Sequence, residues 1–256
     1  MRKPHGFVGS VFRVIRKILF KKVYMFVEHF RNTEGYEKYF GIRKSQFMYI
    51  PFKINSYELI LNTTIFDEGY IFSGGNSLRD YPTLIEAVED LDIPVKIVTQ
   101  PNDIIKIHGT FVDESKLPTN IEVIRHDGNQ KSFINFIAGS RLAVIPLKKD
   151  TIAAAGISVY LMCMALRKCT ILSDLPGVSD VLDKDQAIIV PPEKPDILRQ
   201  EIIKTYNDNI YRSKYEDNGY RYAIGLKGER QLFRSIAQML VDDFNENKKY
   251  RSGYRR

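Results

Sequence analysis

The chain has 256 residues, 27% of them charged and 44% hydrophobic, with 16 glycines and 11 prolines. That is ordinary globular composition; it excludes disordered, collagen-like and low-complexity architectures, and its length suits one large domain, or one domain and part of another. The 38 Lys and Arg against 31 Asp and Glu give a net charge of +7, and the excess sits at the two ends.

Seven basic residues, Arg2, Lys3, Arg13, Arg16, Lys17, Lys21 and Lys22, precede the first acid, Glu28, and Lys248, Lys249, Arg251, Arg255 and Arg256 close the chain. Such ends suit an anionic partner or simple solvation. Residues 7–22 interleave the cations with Phe7, Val8, Val11, Phe12, Val14, Ile15, Ile18 and Leu19 at a spacing close to 3.6, which predicts an amphipathic helix. Its basic face suits a membrane surface; the alternative is a helix packed on the core with its charges in water. The charges also break the apolar run, so neither a membrane span of about 18–20 residues nor a signal peptide fits, and a cytoplasmic protein is expected.

Val23–Val27 predicts a strand, Asn32-Thr33 opens a short helix that Gly41 ends, and Gln46–Pro51 predicts another strand. Residues 52–68 carry mixed signals and are taken as a linker. From Tyr70 strands and helices alternate. Tyr70–Phe72, Val95–Thr99, Ile121–Ile124, Leu142–Pro146, Thr170–Leu172 and Ile188–Pro192 predict strands. Asp80–Val88, Gln130–Gly139, Gly156–Leu166 and Pro195–Tyr206 predict helices. This is the signature of a doubly wound, Rossmann-like α/β fold with a parallel sheet covered on both faces, preceded by a helical and short-strand segment. The expected division is 1–65, 66–225 and a C-terminal helix and tail over 226–256. Ligands of such sheets bind at the carboxyl ends of the strands, which points to the loops 73–80, after 99, 147–156 and 173–180.

In the loop Ser73-Gly74-Gly75-Asn76-Ser77-Leu78-Arg79-Asp80, two glycines permit close backbone approach, the following helix N-terminus favours an anion, and Arg79 adds a permanent charge. It is neither a P-loop nor a dinucleotide fingerprint, and a plain tight turn has the same composition. The two cysteines, Cys163 and Cys169, give neither a disulfide scaffold nor a zinc site. The histidines His5, His29, His108 and His126 lack metal-ligand spacing, so no metal is assigned. No catalytic residue follows from spacing. The 15 Tyr and 15 Phe follow core periods better than a base-stacking platform, so no nucleic-acid partner is assigned.

The order of residues from Tyr160 to Asp180, with Ser173-Asp174-Leu175-Pro176-Gly177-Val178-Ser179-Asp180 at its end, resembles the C-terminal half of GT-B glycosyltransferases of the group 1, family-four type. That family reads "LLEAMAxGKPVIxSDxPGxxD" there. Ile188–Pro192 is similar to its "GLLVPP", and Tyr70–Ala87 to its "xxxGGxSxRDxxTLxEA". His29, Tyr39-Phe40-Gly41-Ile42 and Pro51-Phe52 keep the order of the last unit of its N-terminal lobe. A complete lobe of that kind takes on the order of 100–200 residues. About sixty precede the linker here, so the resemblance implies a shortened N-terminal lobe and an acceptor lobe supplied by a partner chain.

The resemblance implies transfer of a sugar from a nucleoside-diphosphate sugar, with no further cofactor, to a saccharide or lipid-linked acceptor. It places Gly74, Gly75, Asn76 and Arg79, with the N–H groups of Gly156, Ile157 and Ser158, on the donor diphosphate. The family's glutamate pair falls on Ala154 and Met162, so the ribose-contact position, Met162, lacks its carboxylate. Two other readings share these residues: a non-catalytic glycosyltransferase-like subunit, and a peripheral adaptor that binds an anionic membrane through its basic helix.

Overall fold

The computed structural model describes residues 14–253, with side chains through residue 246. Of the basic residues at the two ends, Arg2, Lys3, Arg13, Lys248, Lys249, Arg251, Arg255 and Arg256 lie outside the described side chains, as does His5.

The sheet is built from Ile71–Gly74 (β3), Val95–Thr99 (β4), Ile121–Arg125 (β5), Leu142–Ile145 (β6), Thr170–Ser173 (β7) and Ile188–Val190 (β8). All five pairings are parallel, and the spatial order is β5-β4-β3-β6-β7-β8. Counted from β3, that is the 3-2-1-4-5-6 order of the doubly wound dinucleotide-binding fold, and the order reverses between β3 and β6. The central strands β3, β6 and β7 are buried on both faces, so they read as apolar runs rather than alternations.

The period-two geometry of a strand sorts their side chains into two cores. Ile71, Val95, Ile97, Leu142, Val144, Ile171 and Ile188 pack against Tyr81–Val88 (α4) and Pro195–Asn207 (α8). Phe72, Val98, Ala143, Ile145 and Leu172 pack against Gln130–Ala138 (α6) and Ile157–Ala165 (α7) on the other face. Asn209–Leu226 (α9) covers α7, and Gly219 lets it close in: a Cβ there would stand 2.9 Å from the Gln186 carbonyl oxygen. Lacking an apolar stripe, with only Arg212, Gly219 and Ala223 buried, α9 carries no periodic signal and was not expected.

The first part of the chain forms a small unit of its own. Residues 14–20 are helical (α1), followed by Phe26–Glu28 (β1), Glu34–Phe40 (α2) and Phe47–Tyr49 (β2), with β1 and β2 paired in parallel. β1 starts later than the apolar run Val23–Val27 suggests. The Gln46 amide donates to the carbonyls of Phe20 and Val23 at 3.1 and 2.7 Å, which holds this stretch as a turn. Phe30, Tyr36, Phe40 and Ile42 make a third core, and Ile152 and Ala153 from the β6–α7 loop complete it.

Two short helices were not expected. Tyr57–Leu61 (α3) lies inside the supposed linker and buries Ile60. Asn102–Ile107 (α5) follows β4. Each is too short to show a period. Glu229–Gly253 (α10) is the last described element.

Candidate functional site

The reversal of strand order leaves a crevice above the carboxyl ends of β3 and β6, where the glycine loop and the β6–α7 loop diverge. A cleft of about 580 Å³ opens there. Ser77, Leu78, Ile107, His108 and Ala153–Ser158 form one wall; Glu28, His29, Phe30, Tyr36, Phe52 and Asn55 form the other. The cleft therefore lies between the small N-terminal unit and the rim of the large sheet.

Arg79 lies beneath the first wall. It is 2% exposed, and burial lowers the pKa of its guanidinium. Its Nε donates to the Gly74 carbonyl and its Nη1 to the Ser77 carbonyl, both at 2.8 Å. No carboxylate lies within ion-pair distance of it among the described residues. The two glycines have separate causes: a Cβ on Gly75, at φ +108, would fall 2.3 Å from Arg79 Nη2, and one on Gly74 would fall 2.3 Å from Phe72 Cζ. Tyr81 Oη donates to the Gly75 carbonyl, and Leu78 is held in the left-handed region at φ 56, its N–H donating to His108 and its carbonyl accepting from Lys148.

α7 begins at the same point. Gly156, at φ +81, starts it with no side-chain cap. A Cβ on Gly156 would lie 3.5 Å from Arg79 Nη1 and 3.2 Å from Ile145 Cγ2, so the guanidinium and the helix start meet. Val159 and Tyr160 N–H bond back to the Gly156 carbonyl. The N–H groups of Ile157 and Ser158, in the uncapped first turn, are the helix's orphan donors. A buried cation and a positive helix end on one rim form an electropositive site suited to an anion.

Of the residues singled out from the sequence, Gly74, Gly75, Arg79 and Gly156 are brought together, and Gly156, Ile157 and Ser158 border the cleft. Asn76 is turned elsewhere: its side chain donates to Gln100 Oε1 at 2.7 Å and accepts from Thr99 Oγ1 and Gln100 N–H. Met162 is 2% exposed within the α7 core and does not border the cleft, whereas Ala154 does. Asp180, the last residue of the Ser173–Asp180 motif, clips the two units together. Its carboxylate accepts from the N–H groups of Arg31 and Asn32 at 2.6 and 2.7 Å and from Gly177 at 2.6 Å.

Of the opposite wall, the resemblance picks out His29 and Phe52 without a role, and sequence reasoning missed Glu28, Phe30, Tyr36 and Asn55 as site residues. His29 Nδ1 lies 2.9 Å from the Ile50 carbonyl. A carbonyl only accepts, so Nδ1 carries a proton there. Glu28 is half-buried, and burial raises the pKa of its carboxyl, offset in part by a hydrogen bond with Tyr36. His108 borders the cleft, while His126 accepts from Gly128 N–H and lies against Phe133. Among the described residues no three His, Cys, Asp or Glu side chains converge as a metal site.

Neither a family model nor a curated protein sequence matches the chain. Solved structures do. Sucrose-phosphate synthase from Thermosynechococcus elongatus is similar over 93% of this chain and 62% of its own, at 14% identity and a TM-score of 0.70. HepE from Anabaena, in complex with UDP and glucose, is similar over 91% and 67%, at 13% identity and a TM-score of 0.69. A glycosyltransferase from Rickettsia africae is similar over 92% and 67%, at 16% identity and a TM-score of 0.67. The chain thus spans 62–67% of the length of these three proteins. The likeness is one of backbone, and with the parallel sheet and its reversal point it gives this chain the GT-B glycosyltransferase fold.

Proposed function

We propose that the chain binds a nucleoside-diphosphate sugar in the cleft and transfers the sugar to a hydroxyl acceptor. One observation carries the reading: a buried guanidinium with no carboxylate partner among the described residues adjoins the uncapped N-terminus of α7 at the switch point of the sheet. The diphosphate is the anion that fits both groups. That one similar structure holds UDP and glucose supports it.

In the reaction, the acceptor oxygen forms a bond to the anomeric carbon as the bond from that carbon to the diphosphate oxygen breaks. The electron pair stays with the leaving diphosphate, and Arg79 with the Ile157 and Ser158 N–H groups meets the growing charge. The acceptor approaches from the Glu28 and His29 wall, either over this small unit or with a partner chain beside it. The Glu28 carboxylate takes the acceptor's proton, a role its raised pKa favours. A second reading, donor binding without turnover, is favoured by one feature. Neither Ala154 nor Met162 supplies a carboxylate to grip the ribose.

Calorimetric titration with UDP, GDP and ADP tests the site. Arg79→Met is expected to weaken the preferred nucleotide at least tenfold, the range of one charge-assisted hydrogen bond, and Arg79→Lys to recover part of it. Absence of binding by the wild-type protein at millimolar nucleotide removes the proposal. Binding without sugar transfer, with acceptors and membranes supplied, selects the second reading.

A further inference from the structure

α1 is seated on the small unit through Phe20, with its aliphatic stripe turned outward. Phe20 packs edge-on against Phe26 and Phe40, with ring centres 5.6 and 6.1 Å apart. Arg16 lies over the Phe40 ring at 5.9 Å, and the Lys17 stem comes within 3.4 Å of where a Cβ on Gly41 would stand. Arg16, Lys17 and Phe20 therefore mark the side facing the protein. Val14, Ile15, Ile18 and Leu19 are 57%, 46%, 58% and 57% exposed. At about 100° per residue these four span about 140° of the helix, opposite the contact side. Residues 7–13 of the expected helix lie outside the described residues; over 14–20 the aliphatic stripe faces outward while Phe20 packs inward.

A second apolar face lies at the same end. Tyr24 Oη donates to the Asp243 carboxylate at 3.0 Å, which ties the segment after α1 to α10. Leu240, Val241 and Phe244, flanking Asp243, are 50%, 53% and 65% exposed. Lys21 and Lys22 stand exposed just after α1. Arg2, Lys3 and Arg13 precede the helix in the sequence, and no acid occurs before Glu28.

We infer that this end of the molecule docks on an anionic lipid bilayer, with Val14, Ile15, Ile18 and Leu19 entering the interface and the surrounding cations reaching lipid phosphates. Charge decides the occupant. A second copy of this chain presents the same cations to one another, and a neutral apolar partner leaves them unmatched. A bilayer with anionic headgroups takes both the apolar stripe and the charge. The docking is peripheral: no described helix is long and apolar enough to cross a membrane.

The test is flotation of the full chain with vesicles of phosphatidylcholine alone, or of phosphatidylcholine mixed with phosphatidylglycerol, at low and high salt. The wild-type protein is expected to float only with the anionic vesicles and to be largely released by salt. Lys21→Glu/Lys22→Glu is expected to lower partitioning at least tenfold, as is Ile15→Glu/Ile18→Glu. Both variants should unfold at the wild-type temperature, because the replaced side chains are exposed. Three results overturn the inference: no recovery of the wild type, equal recovery with neutral and anionic vesicles, or undiminished flotation of Ile15→Glu/Ile18→Glu. Sedimentation showing a dimer that this variant disperses, without lipid binding, assigns the face to a second copy and overturns it too.

Discussion

Two buried cations, Arg79 and Lys168, end up in different surroundings. Arg79 spends two nitrogens on carbonyls of its own loop and lies beside the start of α7. Lys168 is 4% exposed far along the chain, and its Nζ donates to the carbonyls of Phe66 and Ser140 at 2.8 and 2.7 Å. Those neutral acceptors do not make up for lost water, and burial pulls the Lys168 pKa down to about 8 from 10.5. The folded protein then releases this proton between about pH 8 and 10.5 while the unfolded chain keeps it. The unfolded state binds more protons in that window, so the contribution of Lys168 to stability rises with pH through it. Thermal unfolding of the wild type and Lys168→Met from pH 7 to 10.5 checks this. The wild type should gain on the variant as pH rises, and a constant difference excludes the shifted lysine. Gly74 and Gly75 suggest room for a ligand in the sequence; in the fold Gly75 makes room for the Arg79 guanidinium and Gly74 for the Phe72 ring.

α7 shows how an element start becomes a site. Seven of its nine residues, Val159 to Ala165, are buried, so tertiary packing fixes its position. Its first turn stays at the rim, where Gly156 supplies a positive φ that other residues adopt at a cost of about 1–2 kcal/mol. Gly156→Ala adds a methyl that meets Ile145 Cγ2 at 3.2 Å and approaches Arg79. It is expected to lower stability by about 1–2 kcal/mol in denaturant unfolding, and to weaken nucleotide binding by more than that loss of folded protein explains. Wild-type stability in the variant excludes the left-handed helix start. The same helix explains Met162. Its position in the family pattern is that of a ribose ligand, but here it is one of the core residues of α7, so the departure from glutamate suits its burial.

Across the whole molecule, the cleft exists because the small unit is docked, and Asp180 is the residue whose removal tests that docking. One carboxylate accepts from Arg31 and Asn32 on the small unit and from Gly177 on the large one. The aromatic core of Phe30, Tyr36 and Phe40 closes over Ile152 and Ala153 beside it. Asp180→Ala removes three hydrogen bonds to a charged acceptor, two of them at the surface, where water takes up the freed N–H groups. Hydrogen exchange is expected to accelerate at Arg31, Asn32 and along β1, with little change in β3–β6, because the two central cores do not involve this contact. Unchanged exchange at Arg31 and Asn32 means the small unit is held by its aromatic core alone.

Residue order by itself determined the alternation of apolar strands and amphipathic helices after Tyr70, hence a parallel sheet, and the loops at its carboxyl rim. It did so because buried parallel strands and their covering helices each leave a distinct period. Arg79 stood out from its glycine loop, and Gly156, some 77 residues on, only through the resemblance. Only the tertiary structure decided that they share one rim, because strand order sets which loops meet, and sequence does not carry strand order. It also brought Glu28 and His29 to the opposite wall, turned Asn76 toward Gln100 and Met162 into the core. For α1 the period was visible but its direction was not. An amphipathic helix can face either way, and the seating of Phe20 on Phe40 decides that its apolar stripe faces outward.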